Sequence, residues 1–140
     1  VTDGILASFT LDLASSRKLN LAPTANASRG LSSAPSPSPW NVMLTQGSET
    51  LEQLMAEMGT GLLVTSMIGA TINPNTGDYS RGASGLWIEN GEITHAINEC
   101  TIAGNLRDML QSIVPANDAR AHLSRVVPSL LVSGMTLAGA

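Results

Sequence analysis

The sequence predicts an α+β fold: a strand-rich domain with antiparallel hairpins and two main helices. Three observations carry that prediction. Leu86-Trp87-Ile88-Glu89-Asn90-Gly91-Glu92-Ile93 places two extended runs around Asn-Gly, the preferred two-residue type I′ hairpin turn, because both turn positions need positive φ. Leu51, Leu54, Met55, Met58 and Leu62 recur three and four residues apart, one apolar helical stripe, with Glu52, Gln53 and Glu57 facing away. Leu106, Met109, Leu110 and Ile113 form a second stripe behind Asn105, a good N-cap, with Asp108 in the first turn where the helix dipole favours it.

Taken in order, Ile5, Ala7, Phe9, Leu11 and Leu13 alternate with Ser8, Thr10 and Asp12, which predicts a first strand over 5–13. A short helix or turn over Ala14 to Leu19 follows. Residues 22–39 lose all periodicity and end in Ser32-Ser33-Ala34-Pro35-Ser36-Pro37-Ser38-Pro39. Prolines lack amide donors and favour extended, solvated backbone, so this is a surface connection. A proline-rich ligand for a partner domain is the weaker reading, since no basic anchor flanks it. Asn41 to Thr45 is a short strand. Thr50 and Gln53 have capping-box spacing, and Gly59 and Gly61 end the helix between them. Leu62 to Ile68 reads as a buried strand.

In the hairpin, Ile88 is expected opposite Ile93, Trp87 opposite Thr94 and Leu86 opposite His95. Leu86, Ile88, Ile93, His95 and Ile97 then share one face, with Trp87, Glu89, Glu92 and Thr94 on the other. Pro115 stops the second helix, and Ser129 to Leu137 is the last strand, behind Pro128.

Size and composition bound the function. The 140 residues fit one domain. Only 13% are charged, against about a quarter of an ordinary soluble chain, while 43% are hydrophobic. Part of the surface is therefore expected to be covered by the rest of a longer chain, by a partner, or by both. A net charge of −4 argues against direct nucleic-acid binding, which concentrates Lys and Arg. One cysteine excludes an internal disulfide and suits a reducing, cytoplasmic compartment. No apolar run approaches the ~20 residues that span a bilayer, and no signal peptide opens the chain, so no membrane association is expected. Opening at Val1, inside a strand pattern, implies a truncated or processed chain.

Each chemistry-bearing residue has a bland rival. His95 sits on the apolar hairpin face and reads as a hydrogen-bonded core or interface histidine; His122 lies on a polar, exposed stretch. The two are far apart, with no His-Glu-x-x-His spacing, so no zinc site is expected within the chain. Cys100 has no base beside it in sequence and reads as a small buried hydrophobe. Glu89 and Glu92 flank a solvated hairpin tip. Gly82-Ala83-Ser84-Gly85 lacks the lysine of a phosphate loop and precedes a strand. The densest group of functional side chains is Asp78, Tyr79, Ser80 and Arg81, a candidate substrate- or partner-facing loop, against the plainer reading of a loop held by its own hydrogen bonds.

Longer motifs supply more. Asn73-Pro74-Asn75-Thr76-Gly77-Asp78-Tyr79-Ser80-Arg81-Gly82-Ala83-Ser84-Gly85, Trp87-Ile88-Glu89-Asn90-Gly91-Glu92-Ile93 and Thr101-Ile102-Ala103-Gly104-Asn105-Leu106 resemble the C-terminal region of the TldD/PmbA family, also called modulators of DNA gyrase (peptidase U62). Ala27-Ser28-Arg29-Gly30, Pro35 to Asn41, Pro128-Ser129-Leu130 and Gly134-Met135-Thr136-Leu137-Ala138-Gly139 extend the resemblance over nearly the whole chain. It implies that residues 1–140 are the C-terminal domain of a longer protein, with an N-terminal domain and a middle region absent. It also implies the PmbA (TldE) branch: TldD-type subunits carry a His-Glu-x-x-x-His helix upstream and a cysteine ligand before the final strand. The matching loop here, roughly Ala116 to Val127, has no cysteine, and Cys100 lies elsewhere. By resemblance, then, this is a non-catalytic subunit of a metalloprotease heterodimer that degrades or processes unfolded peptides. No cofactor is expected in this chain; a metal, zinc first among candidates, is expected in a TldD-like partner subunit. A homo-oligomer in isolation stays open. The alternative is a non-proteolytic, protein-binding regulator of a DNA gyrase or toxin-antitoxin system.

Overall fold

A computed structural model describes residues 1–139, and of Ala70 the backbone alone. The chain divides into two compact units, Val1–Met43 with Ala121–Val126, and Leu44–Arg120 with the residues from Val127 on.

The first unit is sparse in regular structure. Asp12 accepts from the Ser15 amide at 2.7 Å and so caps helix α1, Leu13–Leu19, which closes at Asn20 in the left-handed region. The buried Ser16 hydroxyl donates to the Leu21 carbonyl at 2.6 Å, locking the exit. Strands β1 (Ala27–Ser28) and β2 (Ser36–Pro37) pair antiparallel, and β3 (Val42–Met43) runs parallel to β8 (Arg125–Val126). The expected strand over 5–13 does not form. A tight turn joins Thr2 to Ile5, residues 6–12 are irregular, and Leu13 already belongs to α1. The alternation needed a neighbouring strand, and Asp12 instead offered its carboxylate to an adjacent helix start. Phe9 is consequently half exposed.

The second unit holds the main sheet. Helix α2, Leu51–Met58, opens on a complete capping box: the Thr50 amide donates to Gln53 Oε1 at 2.8 Å and the Gln53 amide to Thr50 Oγ1 at 3.3 Å. Leu54 is its buried residue, and Leu62, assigned to this stripe from sequence, lies beyond the helix in a strand because Gly59 ends it at φ 68°. Thr50→Ala removes one capping bond and is expected to cost about 1 kcal/mol. Urea denaturation reads that loss, and Thr50→Ser should restore most of it.

Strands β4 (Gly61–Ile72), β5 (Asp78–Glu89), β6 (Glu92–Asn105) and β10 (Thr136–Ala138) form one antiparallel sheet in the order β10-β6-β5-β4. Between β6 and β10 lie helix α3 (Leu106–Ser112) and the paired strands β7 (Val114–Pro115) and β9 (Leu130–Leu131). The strand expected over Ser129–Leu137 is therefore two short ones, broken at Gly134, whose φ is 76°. Strand β4 is longer than expected and not buried throughout: among the described residues it pairs with β5 alone, and Met67, Ile68 and Ile72 are exposed. Leu110 of α3 is also exposed rather than part of a packed stripe.

The Asn90-Gly91 turn has φ of 52° and 81°, as a type I′ turn requires, and Ile88 faces Ile93. One residue further the register departs from expectation: Trp87 pairs with His95 and Leu86 with Ala96. Thr94 is the extra residue of a β-bulge, and its hydroxyl donates to the Trp87 carbonyl at 3.2 Å. A second irregularity holds Glu99 at φ 60° and moves Cys100 onto the face of Ile97 and Ile102. Ala83, Ile97, Cys100 and Ile102 consequently form a buried cluster, packed by Leu62, Val64, Tyr79, Trp87, Met135 and Leu137. Ile88, fully buried, points to the opposite face.

Candidate functional site

The 73–78 turn is built from its own side chains. Asn73 Oδ1 accepts from the Asn75 amide at 3.0 Å, the Gly77 amide donates to the Asn73 carbonyl at 2.8 Å, and Thr76 Oγ1 donates to Asp78 Oδ2 at 2.6 Å. Asn105 then ties this turn to α3. Its Nδ2 donates to the Thr76 carbonyl at 3.0 Å, while its Oδ1 caps the helix by accepting from the Arg107 amide at 3.1 Å. The Leu106 amide donates to the Gly77 carbonyl at 2.7 Å. Two motifs far apart in sequence thus form one junction, with Asp78 directly opposite Asn105 in the sheet.

Asp78, Tyr79, Ser80 and Arg81 do not form a loop; they are the first four residues of β5. Strand alternation puts Tyr79 and Arg81 on one face and Asp78 and Ser80 on the other, so the four do not converge. Three have structural partners: Asp78 in the turn, Tyr79 Oη on Met67 Sδ at 3.5 Å, and Arg81 Nε on the Gly69 carbonyl at 2.6 Å. This correction follows from the β5–β6 ladder, which already begins at Asp78.

The other candidates separate likewise. His95 is exposed, with Nδ1 3.0 Å from Thr94 Oγ1, because the Thr94 bulge turned it away from Leu86 and Ile88; it is not a core histidine. His122 is exposed. Cys100 is 1% exposed and its thiol donates to the Ala83 carbonyl at 3.1 Å, the packing of a small hydrophobe. Glu89 and Glu92 pair across the hairpin tip in solvent. Gly82 to Gly85 lie inside β5 rather than in a loop leading into a helix. Among the described residues no three His, Cys, Asp or Glu side chains come together as metal ligands.

Sequence reasoning missed a concave apolar surface. Trp87, Leu62, Val64 and Ile102 on one sheet face, with Met135 and Leu137, line a groove of about 460 Å³. That volume falls within the usual range of ligand-sized clefts. Trp87 had been placed among polar neighbours; alternation along β5 sets it on the face of Ala83 and Gly85, opposite Leu62 of β4, and the Thr94 bulge brings Ile97 of β6 to that same face. The Trp87 side chain itself, a large apolar group in that polar set, was the one available signal.

At one end of this unit Asp118 accepts from the Ser129 hydroxyl and from its amide, both at 2.7 Å. These bonds, the hydroxyl's first, hold its carboxyl below the usual aspartate value. A depressed folded pKa contributes stability that is present above the unfolded value, about 3.9, and is lost as pH falls through the folded pKa. Stability measured by urea denaturation should therefore decline below about pH 4, and Asp118→Asn should flatten that part of the profile.

Comparison with known proteins places this architecture. The model of the PmbA/TldA metallopeptidase C-terminal domain matches residues 1–139. The chain belongs to the PmbA/TldD metallopeptidase family. It is 43% identical over 140 residues to the metalloprotease PmbA of Escherichia coli O157:H7 and 42% identical over 142 residues to a PmbA homolog of Haemophilus influenzae. Each match covers 99% of this chain and 29% of the relative, so the chain spans about three-tenths of those proteins. Among solved structures, a candidate modulator of a DNA gyrase from Thermotoga maritima superposes with a TM-score of 0.79 at 36% identity, covering 96% of this chain and 31% of that one. A counterpart from Bacteroides thetaiotaomicron gives 0.80 at 30% identity, covering 98% and 29%. The α+β architecture is thus that of a PmbA/TldD C-terminal domain. No described helix is long and apolar enough to cross a membrane.

Proposed function

We propose that this chain is part of a non-catalytic, TldE-type subunit of a cytoplasmic metalloprotease that degrades or processes unfolded peptides. The observation that carries this reading is the match to metalloproteases of the PmbA type along the whole chain. On this reading the metal is held by a TldD-type partner, in keeping with a 116–127 loop that has no cysteine. There the metal would supply an activated water for peptide-bond hydrolysis. The part left to this chain would be architectural, a four-stranded sheet that helps shape a chamber shared with the partner. The regulator alternative is not favoured, since four of the relatives are named as metalloprotease PmbA or its homologs.

The test is hydrolysis of an unstructured peptide by the protein carrying this chain, alone and mixed with a TldD-type subunit, with and without chelator. Cleavage is expected only in the mixture and only without chelator. Cleavage by the protein alone would overturn the non-catalytic role, and none in the mixture would overturn the protease reading.

A further inference from the structure

We draw no further inference here: the strongest candidate, the apolar groove between the sheet face around Trp87 and the segment from Leu131 to Leu137, carries nothing because nothing in the structure shows what covers it.

Discussion

Gly85→Ala should destabilise the domain by about 3 kcal/mol, at the upper end of ordinary overpacking. A Cβ at this position would run into the Leu63 carbonyl oxygen, and it would also sit 2.9 Å from the Leu63 carbonyl carbon and 3.0 Å from Val64 Cα. All three are backbone atoms of β4, so no rotamer change can relieve the contact, and β4 and β5 must separate beside the irregularity between Val64 and Ser66. Natural domains have only about 5–15 kcal/mol of stability, so the loss is a large share of the total. With a slope of about 2 kcal/mol per molar, the urea midpoint should fall by roughly 1.5 M. Gly82→Ala is the control three residues away in the same strand. Its nearest neighbour would be the Ile68 carbonyl oxygen at 3.5 Å, an ordinary contact, and losing a strand glycine should leave stability unchanged or slightly raised. Equal effects at the two glycines would refute the close-approach account of Gly85.

That contrast also shows where sequence reasoning reaches its limit. Gly82 and Gly85 look alike in the motif, and only the position of β4 distinguishes them. Features decided within a few residues were legible: the Asn90-Gly91 turn, the Thr50–Gln53 capping box and the Asn105 cap all rest on local hydrogen bonds or local φ. Features decided by a neighbouring strand were not. The bulge at Thr94 reversed the face of His95, and the left-handed Glu99 shifted the buried positions of β6 from strict alternation to Ile97, Cys100 and Ile102. Period-two patterning has no means of announcing an inserted residue. The alternation over 5–13 failed for the related reason that a strand needs a partner, which its own residues do not reveal. The candidate site suffered the same way. Asp78 to Arg81 drew notice as a concentration of functional groups, yet strand geometry divides them between two faces and the bonding of Asp78, Tyr79 and Arg81 is structural.

The junction between the 73–78 turn and α3 gives the second large effect, and its signature is non-additivity. Asn105→Ala removes both the helix cap and the bond to the Thr76 carbonyl, an expected loss of about 2 kcal/mol. Gly77→Ala should cost a similar amount. Its φ of 83° is unfavourable for an L-residue by about 1–2 kcal/mol, and the new Cβ would lie 2.9 Å from Asn105 Oδ1 and 3.1 Å from Asn105 Nδ2. In the single variant the Asn105 amide must move and weaken the bonds it makes. In Gly77→Ala/Asn105→Ala the amide is gone, so the methyl group meets no side chain there. The double variant should therefore be about 1 kcal/mol more stable than the sum of the two losses predicts. Urea denaturation of the four proteins, compared at equal slope, measures that coupling directly. A strictly additive result would mean that turn and helix hold their conformations independently. A positive coupling would mean that the Asn-Pro-x-Thr-Gly-Asp and Ala-Gly-Asn-Leu motifs form one structural unit, with the Asn105 amide fixing where β5 begins and β6 ends.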